Sequence, residues 1–357
     1  MARRYRRSPM TRRGKIVAAV VTVVAVAGGT LGYFALFPER APAFVRRTLA
    51  AVGVTRADAP TPTCPLTGAP VHGKVPSHPA LAIKVENAPE ARPQSGLNDA
   101  DIVVEEPVEG GYTRFIAVFD CGGSERVGPV RSGRTTDPNF LRELGHVVIG
   151  YAGGVPSVQR DIRRAGLTDV NYLVAAKAYT RDDSRLAPHN LYTTTAALWK
   201  AGRKAHGAPE ALFTYDATWD GRARRVGTAH IPYSSVSDVY WTWSRREGAW
   251  LRAHGTVPHT LDDGSRVSAT NVVIQIVDVS ASSIIDAAGN PSPEVDQTGR
   301  GEAFILRDGR MIPAPWERST LADTTTYATR DGETVTLAPG RTWIELVPSS
   351  VTPTFER

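Results

Sequence analysis

The sequence predicts an α+β protein: an α/β-like N-terminal domain with a mixed sheet, then a β-rich second domain, behind a single N-terminal transmembrane helix. Three observations predict this class. Residues 16–37 carry no charged side chain. From Pro65 to about Gly207, short apolar runs alternate with helical patterns. From about Phe213 onward, apolar runs are separated by tight-turn sequences, which is typical of a β-rich domain.

The uncharged stretch is long enough to cross a bilayer. As a helix that rises about 1.5 Å per residue, it would span about 33 Å, against a hydrocarbon core of about 30 Å. The basic residues within residues 1–15 predict a cytoplasmic tail, with the bulk of the chain outside the cytoplasm. A cleaved signal peptide is the alternative, because Ala41-Pro42-Ala43 resembles a cleavage site. We expect a retained anchor in the cell membrane, followed by a linker over residues 38–63.

The charge distribution argues against a nucleic-acid partner. The chain has 42 Lys+Arg against 36 Asp+Glu, a net charge of +6. Residues 1–47 contain ten basic residues and one acidic residue, which leaves 32 basic and 35 acidic residues in the remainder. A protein–DNA interface normally needs a basic face, and the exported part is mildly acidic. No nucleotide-binding or zinc-binding motif is present, so we expect no cofactor and no metal.

Cys64 and Cys121 are the two cysteines of the chain. An even number of cysteines in an oxidising compartment favours a disulfide. Closing a loop of this length would stabilise the fold by about 4 kcal/mol in the chain-entropy model. Two free buried thiols are the alternative.

Periodicity predicts the elements of the exported part, which we divide into residues 64–207 and 208–357. In the first part, Asp137 is the expected N-cap and Gly145 the end of one helix. The predicted strands there are 81–85, 102–106, 113–119 and 147–151, and the predicted helices are 138–144, 157–165 and 195–204. Predicted strands of the second part are 239–243, 250–253, 272–279, 303–306, 334–337 and 342–347.

Charged side chains are dense between Lys84 and Arg134, on strands that we expect to be mostly buried. Buried charges cost several kcal/mol unless paired, so pairing of glutamates with arginines is the simplest interpretation. Because side chains alternate along a strand, Glu105 and Glu106 should lie on opposite faces of the sheet and cannot form one glycosidase pair. The ligand-binding candidates are Asp101, Glu105, Glu106, Arg114, Arg131, Ser132, Arg134, His189 and Asn190.

Two short segments contain candidate residues for anion binding and for acid/base catalysis. Arg131 and Arg134 lie just before a predicted helix, where guanidinium groups and free backbone amides suit a phosphate or a carboxylate. The alternative is that both arginines pair with the upstream glutamates. His189 is a candidate general acid/base and Asn190 a candidate for orienting a substrate, although a loop histidine also serves as a structural hydrogen-bonding group.

Several segments resemble the YerB-like family of bacterial envelope proteins. The resemblance covers about residues 65–350 and rests on residues 92–97, 100–106, 109–115, 128–134, 187–192 and 339–344. It implies a two-domain architecture that is membrane-anchored or a lipoprotein, and it implies no reaction. A weaker, fold-level similarity relates Asp101, Arg131, Arg134 and Gly153-Gly154 to LytR-type transferases, which move polymers from polyprenyl-pyrophosphate carriers to the cell wall.

The sequence therefore leaves two functional hypotheses. The first is an envelope protein outside the cytoplasm that binds an anionic ligand or a wall-associated protein without turning it over. The second is an enzyme that acts on a lipid-linked or cell-wall phosphate. In the second, Arg131 and Arg134 would hold the anion, and Asp101 or Glu105 would bind a divalent metal or serve as the base.

Overall fold

A ten-stranded mixed sheet is the dominant feature of the computed structural model, which describes residues 61–286 and 289–357. The strands of the first part are β1 Ala80–Glu86, β2 Ile102–Pro107, β3 Thr113–Phe119, β4 Val147–Gly150, β5 Thr168–Asp169, β6 Tyr179–Arg181 and β7 Leu191–Thr193. Its α-helices are α1 Thr136–Leu141, α2 Pro156–Arg164 and α3 Thr195–Ala201. Single turns of 3-10 helix occur at Pro89–Ala91, Leu97–Asp99, Glu109–Gly111, Arg142–Leu144 and Ala176–Ala178.

The second part of the chain consists of strands and loops. These strands are β8 Arg224–Arg225, β9 Thr228–Ser234, β10 Ser237–Ser244, β11 Ala249–His254, β12 Val257–Pro258, β13 Ser268–Ala269, β14 Asn271–Val277, β15 Val279–Ile285, β16 Pro291–Val295, β17 Gly299–Gly301, β18 Ala303–Arg307, β19 Arg310–Pro313, β20 Trp316–Arg318, β21 Thr326–Tyr327, β22 Thr342–Pro348 and β23 Thr354–Glu356.

The large sheet takes strands from both parts of the chain. Its order is β5-β4-β1-β3-β2-β22-β14-β18-β19-β8, and a second sheet has the order β12-β11-β10-β9-β23 with β13 beside β11. The parts meet where β2 and β22 pair in parallel, from Ile102 opposite Thr342 to Glu105 opposite Glu345. The division of the exported part at residue 207 stays a prediction.

Each face of the large sheet buries its own apolar layer. Side chains of alternating strand positions, such as Val103, Phe115 and Trp343, pack against Trp241 and Trp250 of the second sheet. The opposite positions pack against α1 and α2 and against the small sheets of the second part. The strand tryptophans are therefore core residues, as large aromatic side chains with strand periodicity favour.

The predicted fold class is wrong. The described residues form a mostly β protein, and its α-helices have six, nine and seven residues. Most predicted strands are confirmed, except that residues 334–337 make only isolated bridges. Helix α3 ends at Ala201 with Gly202 as its C-cap, and Gly202 lies close to Val148, where a Cβ atom would be 2.7 Å from a valine methyl group. Residues 16–37, the predicted transmembrane helix, lie outside the described part, within which no helix is long and apolar enough to span a membrane.

A buried ion pair connects the two sheets. The guanidinium of Arg252 on β11 donates to both carboxylate oxygens of Glu105 on β2, at 2.8 Å from Nη2, and both side chains have zero exposure. His259 accepts from Nη1 of Arg252 through Nδ1 and donates from Nε2 to Oε1 of Gln94, both at 2.9 Å. Burial and the charge of Arg252 hold the pKa of His259 well below its ordinary value, so this imidazole is neutral.

Replacement of Arg252 by Met should lower the free energy of unfolding by about 3–5 kcal/mol, because Glu105 would remain buried without its cation. The double variant Glu105→Leu/Arg252→Met removes both charges and should lose clearly less than Arg252→Met alone. Urea unfolding of the wild type, both single variants and the double variant measures this coupling. Additive losses would show that the pair does not connect the sheets energetically.

The structure contains the expected disulfide between Cys64 and Cys121, with the two Cα atoms 6.0 Å apart. It closes a loop with a sequence separation of 57 residues, from the residues before β1 to the end of β3. Cys64→Ser/Cys121→Ser should therefore lower the free energy of unfolding by about 4 kcal/mol. Reduction of the wild type with dithiothreitol should give a similar loss in the same unfolding experiment, whereas no loss in either case would contradict the assignment.

Candidate functional site

A cleft opens where β1 and β2 end and β3 begins. Its volume is about 640 Å³, and we call it the arginine cleft. Five of the nine sequence candidates line it, namely Arg114, Arg131, Ser132, Arg134 and His189. They are joined there by side chains that include Glu86, Glu90, Glu109, Tyr112, Asp286 and Asn290.

Strand pairing and one turn bring the cleft residues together. Arg114, the second residue of β3, lies opposite Glu86 on one side and Glu106 on the other. The backbone N–H of Arg131 donates to the carbonyl of Lys84 at 2.9 Å, which fixes the turn of residues 131–134 beside β1. The turn is held from its other side by Gly133, whose N–H donates to the Gly153 carbonyl at 2.9 Å.

Glu86 holds two of the candidate residues at once. One of its carboxylate oxygens accepts from Nε of Arg131 at 2.7 Å, and the other contacts Nδ1 of His189 at 2.8 Å. The side chain of Glu86 is 5% exposed, whereas those of Arg131 and His189 are 27% and 20% exposed. A buried acid therefore orients a cation and an imidazole that both remain accessible from the cleft.

Glu109 holds Arg134, the third arginine of the cleft. Its carboxylate accepts from Nε and Nη2 of Arg134, at 3.0 and 2.6 Å, and from the hydroxyl of Ser292 at 2.6 Å. Burial by itself raises the pKa of Glu109, but the hydrogen bonds from Arg134 and Ser292 outweigh it, so the pKa lies below its ordinary value. Glu109 is accordingly ionised at neutral pH, and it keeps Arg134 in place.

Arg114 differs from the other two arginines, because no carboxylate of the described residues forms an ion pair with it. Its guanidinium donates from Nη1 to the carbonyl of Ser132 at 3.2 Å. Burial, together with the nearby charges of Arg134 and Arg131, lowers the pKa of Arg114 to about 10. Three guanidinium groups thus converge on the cleft, while its two buried glutamates are engaged by Arg131 and Arg134.

A buried cluster of one lysine and two carboxylates lies behind the cleft and is separate from it. Lys84 contacts Glu106 and donates to Oδ1 of Asp137 at 2.7 Å, and all three side chains are buried. Asp137 also accepts from the backbone N–H of Arg134 at 2.7 Å, from a position inside α1, and it is not the N-cap that the sequence predicted. Burial raises the pKa of Glu106 although Lys84 opposes this.

Besides Glu106, three other predicted site residues lie outside the cleft. Asp101 precedes β2 at the end remote from the cleft, and its carboxylate accepts from the backbone N–H groups of Asp120 and Cys121. The six residues of β2 separate it from the cleft by about 20 Å, at roughly 3.3 Å per residue. Glu105 is enclosed between the sheets, and Asn190 accepts from Arg181 at 2.6 Å. The enzymatic arrangement that combines Asp101 or Glu105 with Arg131 and Arg134 is therefore absent from the described residues.

The opposite orientation of Glu105 and Glu106 is confirmed. Glu105 is bonded to Arg252 of the second sheet, and Glu106 contacts Lys84 on the face that packs against α1. Sequence reasoning did not select Glu86 and Glu109 as site residues, although both lie in the dense polar stretch. A carboxylate that is distant in sequence from its arginine has no local sequence signal, and the same is true of Ser292.

Family models match both parts of this chain. Residues 66–208 match the N-terminal domain, and residues 229–344 the C-terminal domain, of a family described as "Protein of unknown function (DUF3048)". The match covers both sides of the arginine cleft and most of both sheets. The chain belongs to this family.

A characterised fold supports the assignment. The chain is 29% identical over 293 residues to a Bacillus subtilis protein with the name "Putative lipoprotein YerB", covering 80% of this chain and 86% of that protein. The crystal structure of YerB from Bacillus subtilis superimposes with a TM-score of 0.71 at 26% identity, over 82% of this chain and 99% of the other. The YerB-like resemblance seen in the sequence is thereby confirmed.

The predicted localisation needs correction. We expected a single-pass helix with a cytoplasmic N-terminus, but the relative carries the name "Putative lipoprotein YerB", and lipoproteins are attached to membranes through a lipid. No helix of the described residues meets the length and hydropathy that a membrane span needs. An uncharged stretch at the start of a chain is common to several export signals, so the length of residues 16–37 was insufficient grounds for a retained helix.

The pH dependence of stability should report on Glu109. Because its folded-state pKa is lowered, Glu109 stabilises the fold above its unfolded pKa near 4.3, and this contribution is lost as the pH falls through the folded value. Glu109→Gln should therefore lower the free energy of unfolding at pH 7 and have little effect at pH 3. Denaturant unfolding at both pH values tests this, and an equal loss at both would contradict it.

Proposed function

We propose that this protein binds a small oxyanion group, a phosphate or a carboxylate, in the arginine cleft. The observation that carries the proposal is Arg114, a largely buried guanidinium without a carboxylate partner among the described residues. Burial of an arginine is costly unless it is paired. An anion in the cleft would supply the missing partner.

The remaining donors of the cleft suit the same ligand. Arg131 uses Nε for Glu86, and its two terminal nitrogens have no hydrogen-bond partner in the described part of the chain. Guanidinium groups present parallel N–H donors that match the oxygens of phosphate and carboxylate. Because Glu86 and Glu109 already hold Arg131 and Arg134, these side chains need little reordering when a ligand binds, which favours affinity.

The disulfide supports a site of action outside the cytoplasm. Structural disulfides persist in oxidising compartments and are rare in the cytosol. Cys64 is buried and Cys121 is partly buried, so their bond is part of the fold. An oxyanion-binding protein of the cell envelope is thus the function that the geometry supports best.

Arg114→Met should weaken binding of inorganic phosphate or pyrophosphate at least tenfold, because hydrogen bonds to charged groups contribute about 1.5–3 kcal/mol each. Isothermal titration calorimetry on the full chain measures the affinity, with citrate as the carboxylate probe. Arg164→Met is the matched control, since Arg164 lies on α2 with a side chain that is 72% exposed.

The control should bind as the wild type does. Arg114→Lys keeps the charge without the forked donors, so it should fall between the wild type and Arg114→Met. Thermal unfolding without ligand establishes that each variant is folded. The proposal fails if the wild type binds none of the three probes, or if Arg114→Met binds them with unaltered affinity.

A further inference from the structure

A second cleft with several arginines lies at the far edge of the large sheet. Its volume is about 1060 Å³, and it opens where β8 and β19 meet the end of β10 and the residues after β23. We call it the five-arginine cleft, after the charged residues that line it: Arg224, Arg225, Arg245, Arg310 and Arg357. It is distinct from the arginine cleft in every lining residue.

The described residues that line this cleft carry more positive than negative charge. All five arginines are exposed, and none forms an ion pair with a described residue. Asp308 is the one acidic side chain among the lining residues, and it accepts from Nε of Arg307 at 2.9 Å. The arginine cleft has the opposite design, because buried glutamates hold two of its three guanidinium groups.

Strand pairing places two of these charges against each other. Arg225 on β8 is the direct cross-strand partner of Arg310 on β19. Like charges at opposed positions of an antiparallel pair destabilise the sheet. Because neither arginine forms an ion pair with a described residue, a ligand with several negative charges would stabilise this edge.

Trp243 gives the cleft a flat, partly apolar wall. Its indole lies on Gly309 in the turn between β18 and β19, where a Cβ atom would be 2.7 Å from the ring. The ring centroid is 5.4 Å from that of the buried Trp250, so the wall is fixed to the core. Among residues 61–286 and 289–357, none of the large exposed apolar side chains lines this cleft, which distinguishes it from a surface that inserts into a lipid layer.

We infer that the five-arginine cleft binds a linear polymer that carries regularly spaced phosphate groups. A single small anion can neutralise one or two guanidinium groups, whereas five exposed arginines around one large cleft suit a ligand with charges at several points. Exposed arginines with no partner can also adjust to a flexible chain. Binding of this kind releases counterions and weakens steeply with salt.

The test uses the full chain and inorganic polyphosphate of defined length, with orthophosphate at the same phosphorus concentration for comparison. Arg225→Glu/Arg310→Glu should weaken polyphosphate binding at least tenfold and flatten its dependence on salt concentration. Arg160→Glu/Arg330→Glu is the matched control: it changes the net charge equally, at two exposed positions outside the cleft. We expect the control to stay within twofold of the wild type.

Other outcomes overturn the inference. Equal weakening in both double variants would mean that net charge alone attracts the polymer, and equal binding of orthophosphate would remove the need for a polymer. Arginine-dependent binding to phosphatidylglycerol vesicles, with no binding of polyphosphate, would assign the cleft to a membrane surface. Arg225→Gln/Arg310→Gln relieves the cross-strand repulsion and should unfold no earlier than the wild type, so its unaltered affinity for polyphosphate would also refute the proposal.

Discussion

The fold depends on the buried ion pair between Glu105 and Arg252. It joins the centre of the ten-stranded sheet to the second sheet at a point from which water is excluded, with both side chains fully buried. Because buried charges need partners, polar side chains surround this ion pair. Asn87 and Thr113 donate to the same carboxylate, and neutral His259 contacts the guanidinium.

Strand β2 directs Glu105 toward the second sheet and Glu106 toward the opposite face of the large sheet. This alternation separates two polar systems that are adjacent in sequence. One connects the sheets, and the other, with Lys84 and Asp137, supports α1 and the turn that carries Arg131 and Arg134. Buried ion pairs therefore support the arginine cleft from behind, whereas the five-arginine cleft lies at a sheet edge and none of its arginines forms an ion pair with a described residue.

The local sequence pattern was sufficient to predict most strands, the disulfide and the opposite directions of Glu105 and Glu106. These features depend on side-chain alternation or on the number of cysteines, which a sequence displays directly. The fold class was wrong because helical periodicity does not give the length of a helix, and helices of six, nine and seven residues leave the described residues mostly β. Asp101 does not line the arginine cleft, because it precedes β2 and the cleft lies at the other end of that strand.

The disulfide has a mechanical consequence. Any tension applied to the chain ahead of Cys64 passes through the sulfur–sulfur bond to Cys121 at the end of β3. The covalent load path therefore bypasses the intervening segment, which contains β1, β2, Glu86 and Arg114. Tension from that side therefore does not stretch the backbone that carries Glu86 and Arg114, whereas the turn of residues 131–134 follows Cys121 and stays on the load path.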